Sequence, residues 1–383
     1  MNNKFCLIGN TNIGYSLSPY IYNYLANYYH VSDFSYEIVG VDSLEDVNLA
    51  NYQGYNITIP YKQEILNHIN KYDPVVGFTN CANMVNHNIG YNTDLPAFIH
   101  VFNKLVKEEV ESITILGKGS MSQMIQKYLL NLKKTVNVIY YQDQEIDPCA
   151  YEAEVLINTT PCGQGGYEDQ LPIDRKYISN FKYIIDLNYT PDVNPLLICA
   201  KYYKTPHING IEMLIHQAIS NFSIWYDLTP NYDLIPLIKQ AIDAYRFKGL
   251  ALIGMPFSGK TLIGKQYQGS YDLDEYIEAT IKEPIYDFIK REGENAFRDL
   301  ETAILERIIT KFNPPIISLG GGIVERWQNL FILRHYKLVF VNRGINYLER
   351  YFDDSRPLYC DLEQLQATYE RRMPIYQQWQ TKL

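Results

Sequence analysis

The clearest chemistry in this sequence belongs to a lysine and a threonine at the end of a glycine-framed loop, Gly254-Met-Pro-Phe-Ser258-Gly259-Lys260-Thr261. Such a loop turns backbone N–H groups inward around phosphate oxygens. Lys260 can then reach the β- and γ-phosphates of a nucleotide, and Thr261 can offer its hydroxyl to Mg²⁺. The flanks supply the elements that must position this loop. Leu250-Ala-Leu-Ile253 reads as a buried strand, and Leu262-Ile-Gly-Lys265 as a first helical turn. Strand, glycine loop and helix in that order are the context of a phosphate-binding P-loop.

A second set of polar residues lies in the first hundred positions. Ser16-Leu-Ser18-Pro19 places hydroxyls before a helix start. In Asn56-Ile-Thr58-Ile-Pro60-Tyr-Lys62, alternation on a strand puts Asn56 and Thr58 on one face, with Lys62 just past the proline. Asn83 precedes a short apolar run, and Gly90-Tyr-Asn-Thr-Asp94 follows. Taken singly, each reads equally well as a polar turn.

A chain of 383 residues calls for two or three domains. A net charge of −9 and a pI near 5.4 argue against general affinity for nucleic acid or anionic membrane surfaces. The six cysteines form no CxxC pair, which fits a reducing cytoplasm better than a disulfide framework. Met1-Asn-Asn-Lys leads straight into the strand-like Phe5-Cys-Leu-Ile8, so no signal peptide is expected. No apolar run approaches the roughly 18 residues of a membrane helix.

In order along the chain, the polar segments of the first half resemble the substrate half of shikimate dehydrogenase. The resemblance continues through Ile113–Leu116 and its glycine turn Gly117-Lys118-Gly119-Ser120, through Asn158-Thr-Thr160-Pro-Cys-Gly163, and through Asp186-Leu-Asn-Tyr189-Thr-Pro191. It ends on the helix Gly210-Ile-Glu-Met213-Leu-Ile-His-Gln217. It implies that Lys62 gives a proton to the carbonyl oxygen of 3-dehydroshikimate, with Asp94 orienting it. It also implies that Ser16, Ser18, Asn56, Thr58, Asn83, Tyr189 and Gln217 bind the substrate, and that Gly117, Gly119, Ser120, Asn158, Thr160 and Gly210 hold NADP(H) or NAD(H).

The coenzyme segment departs from the pattern. Ser120 stands where a third glycine is usual, with Lys118 and Met121 in place of small residues. Tyr140-Tyr141-Gln142 stands where an Asn-Arg-Thr would grip a 2′-phosphate. Weak discrimination between the two coenzymes is therefore expected.

Residues 249–379 resemble shikimate kinase through the P-loop, Asp272-Leu-Asp274, Gly293-Glu-Asn-Ala-Phe-Arg298, Gly320-Gly321-Gly322, Arg356-Pro-Leu and Arg372-Met-Pro-Ile-Tyr376. The resemblance implies that Gly254, Ser258, Gly259, Lys260 and Thr261 bind ATP, and that Thr261 and Asp272 serve Mg²⁺. Asp274 would take or orient the proton of the 3-hydroxyl. Arg298, Gly321, Gly322 and Arg372 would clamp the substrate carboxylate, and Arg356 would meet the transferring phosphoryl group. The two acids of Asp272-Leu-Asp274 are expected to share one face of a strand end. Because the sequence stops at Leu383, the kinase sheet is expected to lack its last strand.

The fold expected is α/β throughout. It comprises a substrate domain (1–100 and 207–245), a Rossmann nicotinamide domain (101–206) and a P-loop kinase domain (248–383). The function expected is a fused pair of consecutive steps, reduction of 3-dehydroshikimate to shikimate and then its phosphorylation by ATP. Small molecules are the expected partners, with no nucleic acid and no membrane. The rivals are a chain in which only the kinase is active and the first half merely binds, and a quinate-oxidising first half.

Overall fold

The computed structural model describes residues 3–140, 148–191, 193–350 and 362–380. The chain divides into two compact units, Met1–Ala244 and Tyr245–Leu383.

The first unit begins with β1 (Asn3–Gly9), buried from Phe5 onward. There follow α1 (Ser18–Tyr28), β2 (Phe34–Gly40), β3 (Gly54–Ile57), β4 (Lys71–Tyr72), α2 (Pro74–Thr79), β5 (Met84–Asn86), β6 (Ile89–Tyr91) and α3 (Asp94–Leu105). Their strands make one mixed sheet in the order β2-β1-β3-β5-β6-β4, parallel on the β2 side and antiparallel about β5. Pro19 in the first turn of α1 presets the backbone there and has no N–H to leave unpaired.

The chain then builds β7 (Ser112–Leu116), α4 (Ser120–Asn131), β8 (Thr135–Ile139), β9 (Val155–Asn158), β10 (Tyr183–Asp186), α5 (Pro195–Tyr202) and β11 (His207–Ile208). This second sheet is parallel throughout, in the order β8-β7-β9-β10-β11. Residues of β7, β9 and β10 are almost all buried, because a parallel sheet is covered on both faces. Since β11 pairs with β10, the segment 207–208 belongs to this sheet, and the return toward the first sheet starts with α6 (Ile211–Tyr226).

Helix α6 holds the two sheets of this unit to each other. Ile211, Ile215, Ala218, Ile219, Phe222 and Trp225 join the core cluster that contains Phe5, Tyr22, Tyr36 and Met84, while Met213 joins the cluster under the second sheet. Trp225 lies 4.4 Å from the Phe5 ring and 5.0 Å from the Tyr22 ring, centroid to centroid. Helix α7 (Ile235–Arg246) closes the same core with Ile238 and Ile242.

The second unit runs β12 (Gly249–Ile253), α8 (Lys260–Gly264), β13 (Tyr271–Asp272), α9 (Leu273–Ile281), α10 (Ile285–Glu292), α11 (Glu294–Lys311), β14 (Ile316–Ser318), α12 (Trp327–Ile332), β15 (Tyr336–Phe340), α13 (Ile345–Arg350) and α14 (Leu362–Trp379). Its parallel sheet has the order β13-β14-β12-β15, and among the described residues no further strand follows β15. The two parallel sheets share one feature. The chain leaves β7 toward β8 on one side and β9 on the other, and β12 likewise separates β14 from β15. Ligands of open α/β sheets bind beyond the carboxyl ends of the strands at such reversals.

Phe222 is fully buried between Phe34, Tyr29 and Tyr226. Phe222→Ala should cost about 3–5 kcal/mol. Limited proteolysis across a urea series would then show the first unit cut at lower denaturant, with cutting of the second unit unmoved.

Candidate active sites

The first site is a cavity of about 480 Å³ in the first unit, and most of the residues expected there converge on it. Ser16, Ser18, Asn56, Thr58, Lys62, Asn83, Asp94, Thr160, Tyr189, Gly210 and Gln217 all line it. At its centre Lys62 Nζ lies 2.6 Å from Asp94 Oδ2, and both residues are only 7% exposed. A buried ammonium and carboxylate are tolerable only as a pair with their remaining hydrogen bonds satisfied. Asp94 opens α3, where the helix dipole favours a negative charge. Its other oxygen, Oδ1, accepts a hydrogen bond from Asn83 Nδ2 at 3.0 Å.

Asn83 links this pair to the rest of the wall. Its side-chain oxygen accepts from the Thr93 backbone N–H at 2.8 Å, and its Nδ2 also reaches Thr93 Oγ1 at 2.9 Å. Thr93 Oγ1 donates to Asn221 Oδ1 at 2.7 Å, and Asn221 Nδ2 donates to Gln217 Oε1 at 2.8 Å and to the Tyr22 hydroxyl at 3.0 Å. On the opposite wall Ser16 Oγ donates to Ser18 Oγ at 3.1 Å, and the Tyr36 hydroxyl donates to Asn56 Oδ1 at 2.8 Å. Burial pushes the Tyr22 and Tyr36 phenols well above their ordinary value, so both stay neutral. Thr58 lies just beyond β3, which ends at Ile57, so the strand alternation expected of Asn56 and Thr58 stops one residue short; both side chains nonetheless face the cavity.

The residues expected to hold a coenzyme begin at the end of β7, where the strand order reverses between β8 and β9. Gly117 has φ +110°, and a Cβ there would stand 2.6 Å from Thr159 Oγ1, so the turn needs glycine. Gly119 caps α4, Ser120 begins it, and around Gly119 a Cβ would meet nothing within 4 Å, which leaves room for a ligand's pyrophosphate against the helix start. Asn158 faces inward. Its Nδ2 donates to Asp186 Oδ1 at 3.0 Å, and its Oδ1 accepts from the Thr160 N–H at 3.0 Å. Asp186 also accepts from Asn194 Nδ2 at 2.7 Å and from the Asn188 N–H at 3.0 Å. Burial pushes its carboxyl up to about 6, against the pull of these three donors. Met121, in α4, brings its sulfur to 3.5 Å from Lys62 Nζ. Tyr141 and Gln142 lie outside the described residues. Tyr140 carries the Lys118 ammonium 5.4 Å above its ring.

The second site surrounds the P-loop. Lys260 Nζ donates to the carbonyls of Gly254 and Met255, each at 2.8 Å, and lies 3.5 Å from Ser258 Oγ. Thr261 Oγ1 donates to Asp272 Oδ2 at 2.7 Å, an all-oxygen pair suited to a hard cation. Asp272 and Asp274 do not share a strand face. Asp272 ends β13 and caps α9 by accepting the Glu275 N–H at 3.2 Å, so the chain is already helical at Asp274. The cap wins because a carboxylate satisfies the orphan N–H groups of a helix start.

Arg298, on α11, and Arg372, on α14, are buried at 5% and 2% exposure. A Cβ on Gly322 would fall 2.1 Å from Arg298 Nη2, so this guanidinium lies directly against the glycine backbone. The Tyr376 hydroxyl donates to the Gly321 carbonyl. Arg298 pairs with Glu301 at 2.8 Å and Glu294 at 3.1 Å, and Arg372 Nε pairs with Glu325 Oε1 at 3.0 Å. Burial pushes the Glu301 carboxyl up to about 7. Burial would raise Glu325 as well, but Arg372, Arg298 and Arg371 hold it below the usual range. Arg356 lies outside the described residues.

Several members of these networks were not singled out from sequence. Asn221 follows Gln217 by one helical turn, so helical spacing alone puts both amides on one face of α6. Glu325 has no such signal, because it meets Arg372 across 47 positions of chain.

An open parallel sheet with a cofactor-ready glycine turn, beside a cavity holding a buried lysine–carboxylate pair, defines an oxidoreductase half. A P-loop with a basic clamp defines a phosphotransferase half. Comparison with known proteins gives both halves a family. The model for the shikimate dehydrogenase substrate-binding domain matches residues 7–85, and the model for shikimate kinase matches residues 257–383. The chain is 32% identical over 254 residues to an NADP(+) shikimate dehydrogenase of Clostridium botulinum, covering 57% of this chain and 95% of that one. It is 29% identical over 257 residues to an NADP(+) shikimate dehydrogenase of Staphylococcus epidermidis, covering 60% and 94%. In fold it matches shikimate dehydrogenase 1 of Peptoclostridium difficile with a TM-score of 0.55 at 24% identity, over 63% of this chain and 98% of that one. A chorismate mutase/shikimate 5-dehydrogenase fusion of Clostridium acetobutylicum matches with a TM-score of 0.55 at 23% identity, over 64% and 98%. The chain belongs to the shikimate dehydrogenase family and carries a shikimate kinase domain after it, a bifunctional enzyme of aromatic biosynthesis.

The raised Asp186 carboxyl sets a pH dependence. In the folded chain it holds its proton up to about 6, against an ordinary 3.8, so folding favours the protonated form. Its contribution is full below pH 4 and is lost as the pH rises through 6. In Asp186→Asn that slope should vanish. Urea midpoints of the first unit at pH 4.5 and 7 would then differ less in the variant than in the parent chain.

Proposed function

We propose that the first site reduces 3-dehydroshikimate to shikimate, and that the second transfers the γ-phosphoryl group of ATP to the 3-hydroxyl of shikimate. The observation that carries this reading is the buried Lys62–Asp94 pair inside a cavity walled by neutral donors and acceptors, in one chain with a P-loop. A polyol acid calls for many neutral hydrogen-bonding groups and few charges, and the cavity offers that mix.

In the first site Lys62 Nζ delivers its proton to the oxygen of the substrate's keto group. Asp94 orients that ammonium, and Asn83 holds Asp94. Ser16 and Ser18 face the substrate's carboxylate, while Asn56, Thr58, Tyr189 and Gln217 take the ring oxygens. A bound nicotinamide supplies the hydride. Gly117, Gly119, Ser120, Thr160 and Gly210 would hold its coenzyme, and Asn158, fully buried behind them, acts by holding Thr160 in place.

In the second site Lys260 would neutralise charge on the phosphates of ATP, and Thr261 and Asp272 would hold Mg²⁺. Asp274, in the first turn of α9, orients the 3-hydroxyl or takes its proton. Arg298 and Arg372 grip the carboxylate, a match for forked guanidinium groups. The site lies in the cytoplasm in this reading.

Lys62→Ala should abolish reduction and leave shikimate affinity of the first site within about tenfold, since the loss falls on proton transfer. Coupled absorbance assays would show kinase turnover unchanged, and near-normal reduction would remove Lys62 from its role. Lys260→Ala should do the reverse, ending phosphoryl transfer and sparing reduction.

The coenzyme preference follows from Lys118, the cation at the glycine turn. A 2′-phosphate brings roughly two negative charges, and a tight grip calls for a paired arginine or lysine. We expect kcat/KM for NADPH to exceed that for NADH by less than about a hundredfold, the equivalent of roughly 2.7 kcal/mol, and Lys118→Ala to remove most of the preference. A larger ratio that survives this substitution would place the phosphate grip elsewhere.

A further inference from the structure

The carboxylate of Glu325 stands between the two arginines that the reading above gives to the substrate. Its Oε1 accepts from Arg372 Nε at 3.0 Å, and its Oε2 lies 3.7 Å from Arg298 Nε. Arg371 Nη2, on the exposed side, reaches Oε1 at 2.9 Å. Both close approaches are to Nε, the nitrogen at the stem of the guanidinium, rather than to its terminal nitrogens. One carboxylate thus hydrogen-bonds the base of the Arg372 fork and lies within ion-pair reach of the base of the Arg298 fork, whose Nε has no hydrogen-bond partner among the described residues, and one arginine comes from α11 while the other comes from α14. Glu325 itself belongs to a single turn, Ile323–Glu325, that directly follows Gly320-Gly321-Gly322.

We propose that Glu325 is a positioning residue for shikimate: it fixes Arg298 and Arg372 relative to each other and to the glycine loop, so that their terminal nitrogens converge on the substrate's carboxylate. The inference rests on the clamp role proposed above for these arginines. The physical case is that Arg372 is buried at 2% exposure and that two like-charged groups repel, so an anion between them lowers the cost of holding both in place. Glu301 pairs with Arg298 at 2.8 Å, three residues along the same helix.

The alternative role for a carboxylate here is to compete with the substrate, and the two roles have opposite signs. Glu325→Gln keeps the shape of the side chain and removes the charge. If Glu325 positions the arginines, the variant's KM for shikimate should rise about tenfold, with KM for ATP and kcat within about twofold of the parent. The unchanged ATP values show that the domain is folded. Glu325→Asp, which keeps the charge on a shorter stem, should recover part of the loss. A fall in KM for shikimate would make Glu325 a competitor and overturn the proposal, and an unchanged KM would overturn it as well. Shikimate methyl ester separates this inference from the reading beneath it. If the parent chain phosphorylates the ester as well as the acid, the clamp itself is wrong. If the parent discriminates and Glu325→Gln discriminates equally, the clamp stands and the positioning role fails. The expected result is strong discrimination in the parent, reduced about tenfold in Glu325→Gln.

Discussion

The Lys62–Asp94 pair constrains the first unit more than any other contact. Two charges withdrawn from water are costly unless every remaining donor and acceptor is matched. The surrounding sequence answers that demand with neutral groups only. Asn83 takes the second oxygen of Asp94, Thr93 and Asn221 pass the network on, and Gln217 and Tyr22 close it. These residues come from the start of β5, the start of α3, from α6 and from α1. The pair therefore ties α1 and α6, which form the aromatic core around Trp225, to α3, whose apolar face belongs to the cluster under the second sheet.

Both halves also obey one topological rule. In each, the glycine loop follows a central parallel strand at the point where the chain reverses across the sheet, β7 in the first unit and β12 in the second. There the neighbouring loops diverge and leave a crevice with backbone N–H groups at its floor. Thr159 and Gly117 meet so closely at this point that a side chain on the glycine would collide with a hydroxyl. On the proposed function the same geometry would serve a dinucleotide in one case and a triphosphate in the other, because the ligand's phosphates are what such a crevice receives.

What could be read in the sequence divides along physical lines. Strands β7 and β12 were legible as short apolar runs before glycine turns, because strands buried on both faces have that composition. Ser16, Ser18, Asn56, Lys62, Asn83, Asp94 and Gln217 were legible as an ordered set of motifs, and the structure gathers all of them on one cavity. The placement of Asp274 was not legible. Alternation of two aspartates suggests a strand, while the capping bond from Glu275 to Asp272 converts the second aspartate into the first turn of a helix. Asn221 was readable from helical spacing had the amide of Gln217 been extended by one turn. Glu325 was beyond reach, since nothing local marks a glutamate whose partners sit on two helices distant in sequence.

On the proposed function, one ligand is recognised in two different ways. In the first site shikimate is the product, and its carboxylate would meet the hydroxyls of Ser16 and Ser18. In the second it is the substrate, and its carboxylate would meet Arg298 and Arg372. Charge-assisted hydrogen bonds are roughly twice as strong as neutral ones. A site that must release shikimate is therefore better served by hydroxyls, and a site that must capture it by guanidinium groups. The arginines bring a cost the serines do not, because two buried cations repel and need counter-charges of their own. Glu294, Glu301 and Glu325 supply these, at 3.1, 2.8 and 3.0 Å from the arginine nitrogens. The acidic residues crowded around the kinase clamp thus follow from its need for affinity, while Ser16 and Ser18, which share their cavity with the Lys62–Asp94 pair, would meet the carboxylate with neutral hydroxyls.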